Sequence, residues 1–132
     1  MSLHFHHIGV ACRELDSETA RFAAFGYQRE EGSDFTDPIQ GVRGRFLTGG
    51  GPRLELLSSL ATEGVLIPWL KAGVKLYHMA YETPDFDDEI SRLRGQGAKV
   101  VVPPVAAVAY GGRRIAFLMV PNTLLIELIA TN

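Results

Sequence analysis

The sequence predicts an α+β fold made of two tandem βαβββ modules, and three observations predict it. The first is an internal repeat. HIGVACRELD from His7 and HMAYETPDFD from His78 stand 71 positions apart and share a leading His, a small residue two places on and a closing Asp. The same offset carries Gly26 onto Gly97, Gly41 onto Gly112, Arg43 onto Arg114, Phe46 onto Phe117 and Leu47 onto Leu118; after one extra residue, Glu55 falls on Glu127. The second observation is that each copy reads in the same order, as a strand, a helix and three strands. The third is that each copy supplies one His and one Glu at matched places.

The elements follow from spacing and punctuation. Phe5 to Ala11 alternates with period two and predicts a strand. Asp16 is the expected N-cap of a helix that Gly26 stops, since glycine tolerates the left-handed conformation past a helix end. Tyr27 to Glu30, Val42 to Thr48 and Arg53 to Ser58 are the three expected strands, with Gly49, Gly50, Gly51 and Pro52 making the last turn. This first module spans about 4–60. Val65 to Ala72, with Trp69, predicts a connecting helix over about 64–73. In the second module, over about 75–131, Leu76 to Glu82 is the expected first strand. Phe86, Ile90 and Leu93 mark one face of a helix closed near Gly97. Lys99 to Val102, Arg114 to Val120 and Leu124 to Ala130 supply the remaining strands. The 132 residues are expected to form a single domain.

Composition narrows the partners. With 46% hydrophobic and 21% charged residues the chain has enough apolar material for one core. Its net charge of -2 gives no basic field, which argues against nucleic acid and anionic membranes as partners and for a small-molecule substrate. No apolar run reaches the roughly 18 residues of a membrane helix, and Val100 to Tyr110 is cut by Pro103 and Pro104. No charged region followed by an apolar core opens the chain, so the cytoplasm is the expected compartment. The single Cys12 excludes an intrachain disulfide and is expected to pack rather than react.

Strand alternation decides where the polar residues point. Ile8, Val10, Leu54, Leu56, Met79, Tyr81, Ile126 and Leu128 fall on one face, the expected core. His7, Glu55, His78 and Glu127 fall on the other, beside Gly9, Ala11 and Ala80, which are too small to fill the space before them. A single buried His or Glu is more often a hydrogen-bonded structural group than a ligand. Two imidazoles and two carboxylates at matched positions are different, because the desolvation cost of gathering them is one that a divalent cation offsets. Two nitrogens and two oxygens suit Zn, Ni, Co or Mn(II), and leave positions for water or substrate oxygens. His4 and His6 alternate onto the opposite face and are expected to be structural or exposed. The glycines at 49 to 51 lack the Lys and Ser or Thr of a phosphate loop.

The segments FHHIGVA (5 to 11), QGVRGRFL (40 to 47), RLELL (53 to 57), YHMAYE (77 to 82), GGRRIAFL (111 to 118) and LLIEL (124 to 128) together resemble the vicinal oxygen chelate superfamily. Within it they are most similar to the methylmalonyl-CoA epimerase family, with glyoxalase I a more distant relative. The resemblance covers nearly the whole chain. It implies paired βαβββ modules in a cupped mixed sheet around a metal, with His7, Glu55, His78 and Glu127 as the ligands and a homodimer as the assembly. Two departures stand out. The epimerase pattern carries a general-base Glu just before the QGV segment, where this chain has Ile39. Its longer final turn, with a Lys and paired Gly, is replaced here by Met119 to Thr123, which bears on coenzyme A recognition.

The expected function is therefore a divalent-metal-dependent isomerase or epimerase acting through an enolate, with Glu127 also handling the proton. The substrate would be an acyl thioester. The alternatives are a glyoxalase I-like lactoylglutathione lyase acting on a hemithioacetal, or a non-catalytic drug-binding protein of the same fold. An extradiol dioxygenase ranks low, because Glu55 as a fourth protein ligand occupies a position that oxygen or substrate needs. Asp37 or Gln40 is a candidate to position a water, and Asp37 is also a candidate to replace the missing base. Arg113 and Arg114 are candidate anion contacts beside Gly111 and Gly112. Tyr110 and Trp69 are candidate pocket or core residues.

Overall fold

The computed structural model describes residues 2–62 and 64–132. Its elements in chain order are β1 (His4–Ala11), α1 (Leu15–Ala23), β2 (Gln28–Arg29), β3 (Phe35–Asp37), β4 (Val42–Thr48), β5 (Leu54–Ser59), α2 (Ile67–Lys71), β6 (Leu76–Thr83), α3 (Phe86–Gly95), β7 (Lys99–Ala106), β8 (Arg114–Met119) and β9 (Leu125–Ala130), with a 3-10 turn at Val108–Tyr110. The fold is α+β, with strands paired in mixed fashion and few helices.

Two compact units divide the chain, His7–Tyr77 and Met1–His6 with His78–Asn132, and the cuts fall inside β1 and β6. In the unit His7–Tyr77 the strand order is β2-β4-β5-β1, with β3 paired to β4. β1 and β5 run parallel, with Ile8 opposite Leu54 and Gly9 opposite Glu55. β4 and β5 are antiparallel, and Phe46 faces Glu55. The core of this unit gathers Val10, Cys12, Tyr27, Leu47, Leu54 and Leu56 beneath α1, whose Leu15 and Phe22 pack on it.

The other unit repeats the plan. Its order is β6-β9-β8-β7. β6 and β9 are parallel, with Ala80 opposite Glu127, and antiparallel β8 sets Phe117 opposite Glu127. Phe86, Leu118, Ile126 and Leu128 anchor its core, with Ile90 and Leu93 of α3 packed against them as the helical spacing requires. The matched glycines also hold: Gly26 and Gly97 follow their helices at φ 90° and 98°, and Gly41 and Gly112 sit in turns at φ 72° and 86°. All four conformations are costly for a residue with a Cβ, which explains why the repeat keeps glycine there.

Four expectations are corrected. Asp16 is not the N-cap of α1. Glu14 takes that position, and the Asp16 carboxylate lies in the first turn, 2.9 Å from Arg45 Nη1. A short strand, β3, stands where no strand was expected and forms a hairpin with β4; three residues are too few to show alternation. α2 covers only Ile67–Lys71 of the expected 64–73, with Pro68 in its first turn, where a missing N–H costs no helical hydrogen bond. β7 runs on to Ala106 through Pro103 and Pro104. It can do so because it lies at the end of the strand order and its pairing with β8 slips between Val100 and Val102 and again before Val105.

Candidate metal centre

Each unit builds one half of the expected ligand set, and the two halves are constructed alike. In the unit His7–Tyr77, parallel pairing of β1 with β5 puts His7 and Glu55 on one face, two residues out of step. Their Nε2 and Oε1 atoms lie 3.2 Å apart, and both side chains are buried. Phe46, opposite Glu55 on β4, meets the His7 imidazole edge-to-face at 5.6 Å between centroids. In the second unit, β6 and β9 do the same for His78 and Glu127, again with 3.2 Å between Nε2 and Oε1. Phe117 stands opposite Glu127 and meets His78 edge-to-face at 5.1 Å.

The donor chemistry of each pair fits a divalent cation. Two ligands bonded at about 2.1 Å and separated by 90–109° at the metal stand about 3.0–3.4 Å apart, which is the spacing each pair shows. A carboxylate this deeply buried carries a desolvation cost that its neighbouring imidazole alone offsets only in part, and a cation offsets far better. The His and Glu types together suit Zn, Ni, Co or Mn(II). Phe46 and Phe117 were not recognised from sequence as walls of the half-sites. Their correspondence in the repeat was the available signal, since an identical aromatic at matched positions beside each Glu implies a shared local task.

The remaining candidates resolve into structural roles. Asp37 is fully buried, and both carboxylate oxygens already accept hydrogen bonds: Oδ1 from the backbone N–H groups of Ile39 and Gln40, each at 3.1 Å, and Oδ2 from Gln40 Nε2 at 2.9 Å. It shapes a turn that presents Ile39, 69% exposed, to solvent. Arg113 donates to Ala130 O at 3.0 Å and to Glu82 at 3.4 Å, while Arg114 pairs with Asp87 and lies over the Phe86 ring at 4.7 Å. The chain's own acceptors thus engage both guanidinium groups. Tyr110 is buried, its ring edge-to-face with His6; Trp69 is partly buried and packs near Tyr77; His4 is exposed. Cys12 is buried in the core, where desolvation above all, with help from the Glu18 charge, pushes its thiol up to about 12. A thiol held protonated in this way is not a nucleophile at neutral pH.

Comparison with known proteins bears on the family and the fold. The sequence model of the Glyoxalase/Bleomycin resistance protein/Dioxygenase superfamily matches residues 6–117. The chain belongs to this superfamily. Among solved structures it is similar to a variant of Streptomyces coelicolor methylmalonyl-CoA epimerase in complex with 2-nitronate-propionyl-CoA, with 28% identity, TM-score 0.80 and coverage of 98% of both chains. A methylmalonyl-CoA epimerase in complex with methylmalonyl-CoA and NH4+ matches at 27% identity and TM-score 0.79, over 98% of this chain and 95% of that one. The methylmalonyl-CoA epimerase of Mycobacterium tuberculosis, at 24% identity and TM-score 0.78 over 97% and 87% of the two chains, shares the fold. No curated protein matches the chain in sequence. Among the described residues, no helix is long and apolar enough to cross a membrane.

Proposed function

We infer that this member of the superfamily is a divalent-metal-dependent epimerase of acyl-CoA thioesters, similar to methylmalonyl-CoA epimerase, in which His7, Glu55, His78 and Glu127 act as one ligand set. The observation that carries this reading is the duplicated His–Glu pair, buried and spaced 3.2 Å in both units. Its support from comparison is the likeness at 27–28% identity, over nearly the full chain, to epimerases bound to acyl-CoA compounds. A cation held by the four side chains would supply Lewis-acid charge at the thioester carbonyl oxygen and so acidify the neighbouring C–H.

The protein's own part is to hold donors and to move a proton. Glu127 takes the proton from the carbon beside the carbonyl and returns it. Burial keeps bulk water from exchanging with it, and His78 Nε2 at 3.2 Å steadies the carboxylate between the two events. His7, Glu55 and His78 stay in place as ligands. The homodimer expected from the resemblance belongs to the same proposal.

A specific observation favours a second reading. Position 39 carries an exposed Ile in place of a titratable group. Proton return to the opposite face of a carbon is most simply done by two bases, whereas a glyoxalase-type isomerisation of a hemithioacetal proceeds with one, for which Glu127 suffices. A drug-sequestering role is less well supported, because a cavity for sequestration does not require buried carboxylates.

The test is metal content by elemental analysis of the purified protein, beside His78→Ala and Glu127→Ala. The wild type should carry near-stoichiometric Co, Ni, Mn or Zn that each variant loses. The loaded wild type should then exchange the α-proton of methylmalonyl-CoA in deuterated water, and Ile39→Glu should raise epimerisation. Exchange with a hemithioacetal alone favours the second reading. A wild type that takes up no metal when supplied with it refutes both.

A further inference from the structure

The two half-sites differ in what stands behind them. In the unit His7–Tyr77 the Arg53 guanidinium lies over the Phe46 ring, 4.0 Å from its centroid. Glu30 grips the edge of that guanidinium, accepting from Nε at Oε2 (2.6 Å) and from Nη2 at Oε1 (2.8 Å). The backbone of Phe46 is held as well: its carbonyl accepts from the N–H of Glu30 at 2.9 Å, and its N–H donates to Ser33 Oγ at 3.1 Å. Phe46 in turn packs edge-to-face against His7. Among the described residues the second unit shows no counterpart of this clamp. The repeat puts Val101 at the place of Glu30 and Leu125 at the place of Arg53, and among the described residues no cation lies over Phe117.

We propose that Arg53 is a positioning residue: clamped by Glu30, it fixes the Phe46 ring and through it the His7 imidazole, so that the His7–Glu55 pair is the rigid half of the ligand set. The proposal rests on the metal reading above. Its physical basis is that a bidentate carboxylate fixes the guanidinium plane and that a cation over an aromatic face resists sliding of that face. A ring so held removes rotational freedom from an imidazole packed against it, and supporting groups of this kind tune metal affinity without touching the metal.

The test uses Co(II) as probe, with calorimetric affinity and the visible Co(II) absorption band as readouts, and the ring resonances of His7 and His78 in the metal-free protein as a third. Arg53→Met keeps an apolar stem over Phe46 and removes the charge. It should weaken Co(II) binding by about 10- to 100-fold, the range expected for a support lost behind a ligand. It should also shift and broaden the His7 ring signals while leaving those of His78 unmoved. Arg53→Lys, which retains a cation over the ring, should recover most of the affinity. Arg53→Met that stays folded and binds Co(II) within twofold of wild type overturns the positioning role and leaves the metal reading standing. A wild type that binds no Co(II) overturns the metal reading, and this inference with it.

Discussion

At the level of single residues, burial and hydrogen bonding separate groups that hold structure from groups free to do chemistry. Asp37 is the clearest instance. A general base needs a lone pair aimed at substrate, and both Asp37 oxygens are committed to donors on Ile39 and Gln40. Asp37→Asn should therefore leave α-proton exchange within about twofold of wild type, whereas removal of a true base costs on the order of 100-fold or more; a rate measurement in deuterated water decides. The four ligand candidates were legible in the sequence because the repeat marked them and strand alternation put them on one face. The turn-forming role of Asp37 was not legible, since one Asp before a Pro-Ile-Gln segment looks the same whether it caps a turn or faces a substrate. Arg53 was hidden for a related reason: a charge at a strand entrance ordinarily points to water, and only its placement over Phe46 shows otherwise.

At the level of elements, the helices needed ties that periodicity does not reveal. α1 has no fully buried residue. It is secured in part by Arg45 of β4, itself nearly buried, which reaches Asp16 at 2.9 Å and Thr19 Oγ1 at 2.9 Å, and grips Asp34 through Nε at 2.8 Å and Nη2 at 2.9 Å. The Arg45 hydrogen bonds hold the Asp34 carboxyl below its ordinary value of 3.8, and on α3 the Arg92 hydrogen bonds hold Glu89 below 4.5. Both groups bind protons less readily folded than unfolded. The stability they contribute is thus complete above pH of about 4.5 and is lost as pH falls through the depressed values. Asp34→Asn should lower Tm at pH 7 and flatten the fall in Tm below pH 4, measured by a series of thermal melts. Sequence placed α1 between Asp16 and Gly26, yet it assigned Asp16 to capping, because an acid near a helix start serves either as a cap or as a partner for a distant arginine. The expected helix over 64–73 shrank to five residues because Pro68 belongs in a first turn and Gly73, at φ 73°, stops the chain soon after it.

For the molecule as a whole, the duplication made the order of strands and helices in each half readable from the sequence, whereas the parallel pairing that sets each Glu two residues out of register with its His is visible only in the fold. Small departures from symmetry, β3 in one half and the longer β7 in the other, lay where the repeat sets unlike residues against one another, Phe35, Thr36 and Asp37 against Ala106, Ala107 and Val108. At 132 residues the chain lies in the size range in which domains usually unfold all-or-none. Thermal and urea unfolding should accordingly follow one transition, coincident by far-ultraviolet dichroism and tryptophan fluorescence; two separated transitions would refute it. β7 bears on how many such molecules tolerate one another. A strand at the end of the order exposes backbone donors and acceptors to any passing chain, the template from which fibrils grow. Pro103 and Pro104 carry no backbone N–H to offer a newcomer, and the irregular register beside them interrupts the regular ladder it would need. Pro103→Thr with Pro104→Thr should thus seed thioflavin-positive aggregates at concentrations where the wild type stays dispersed.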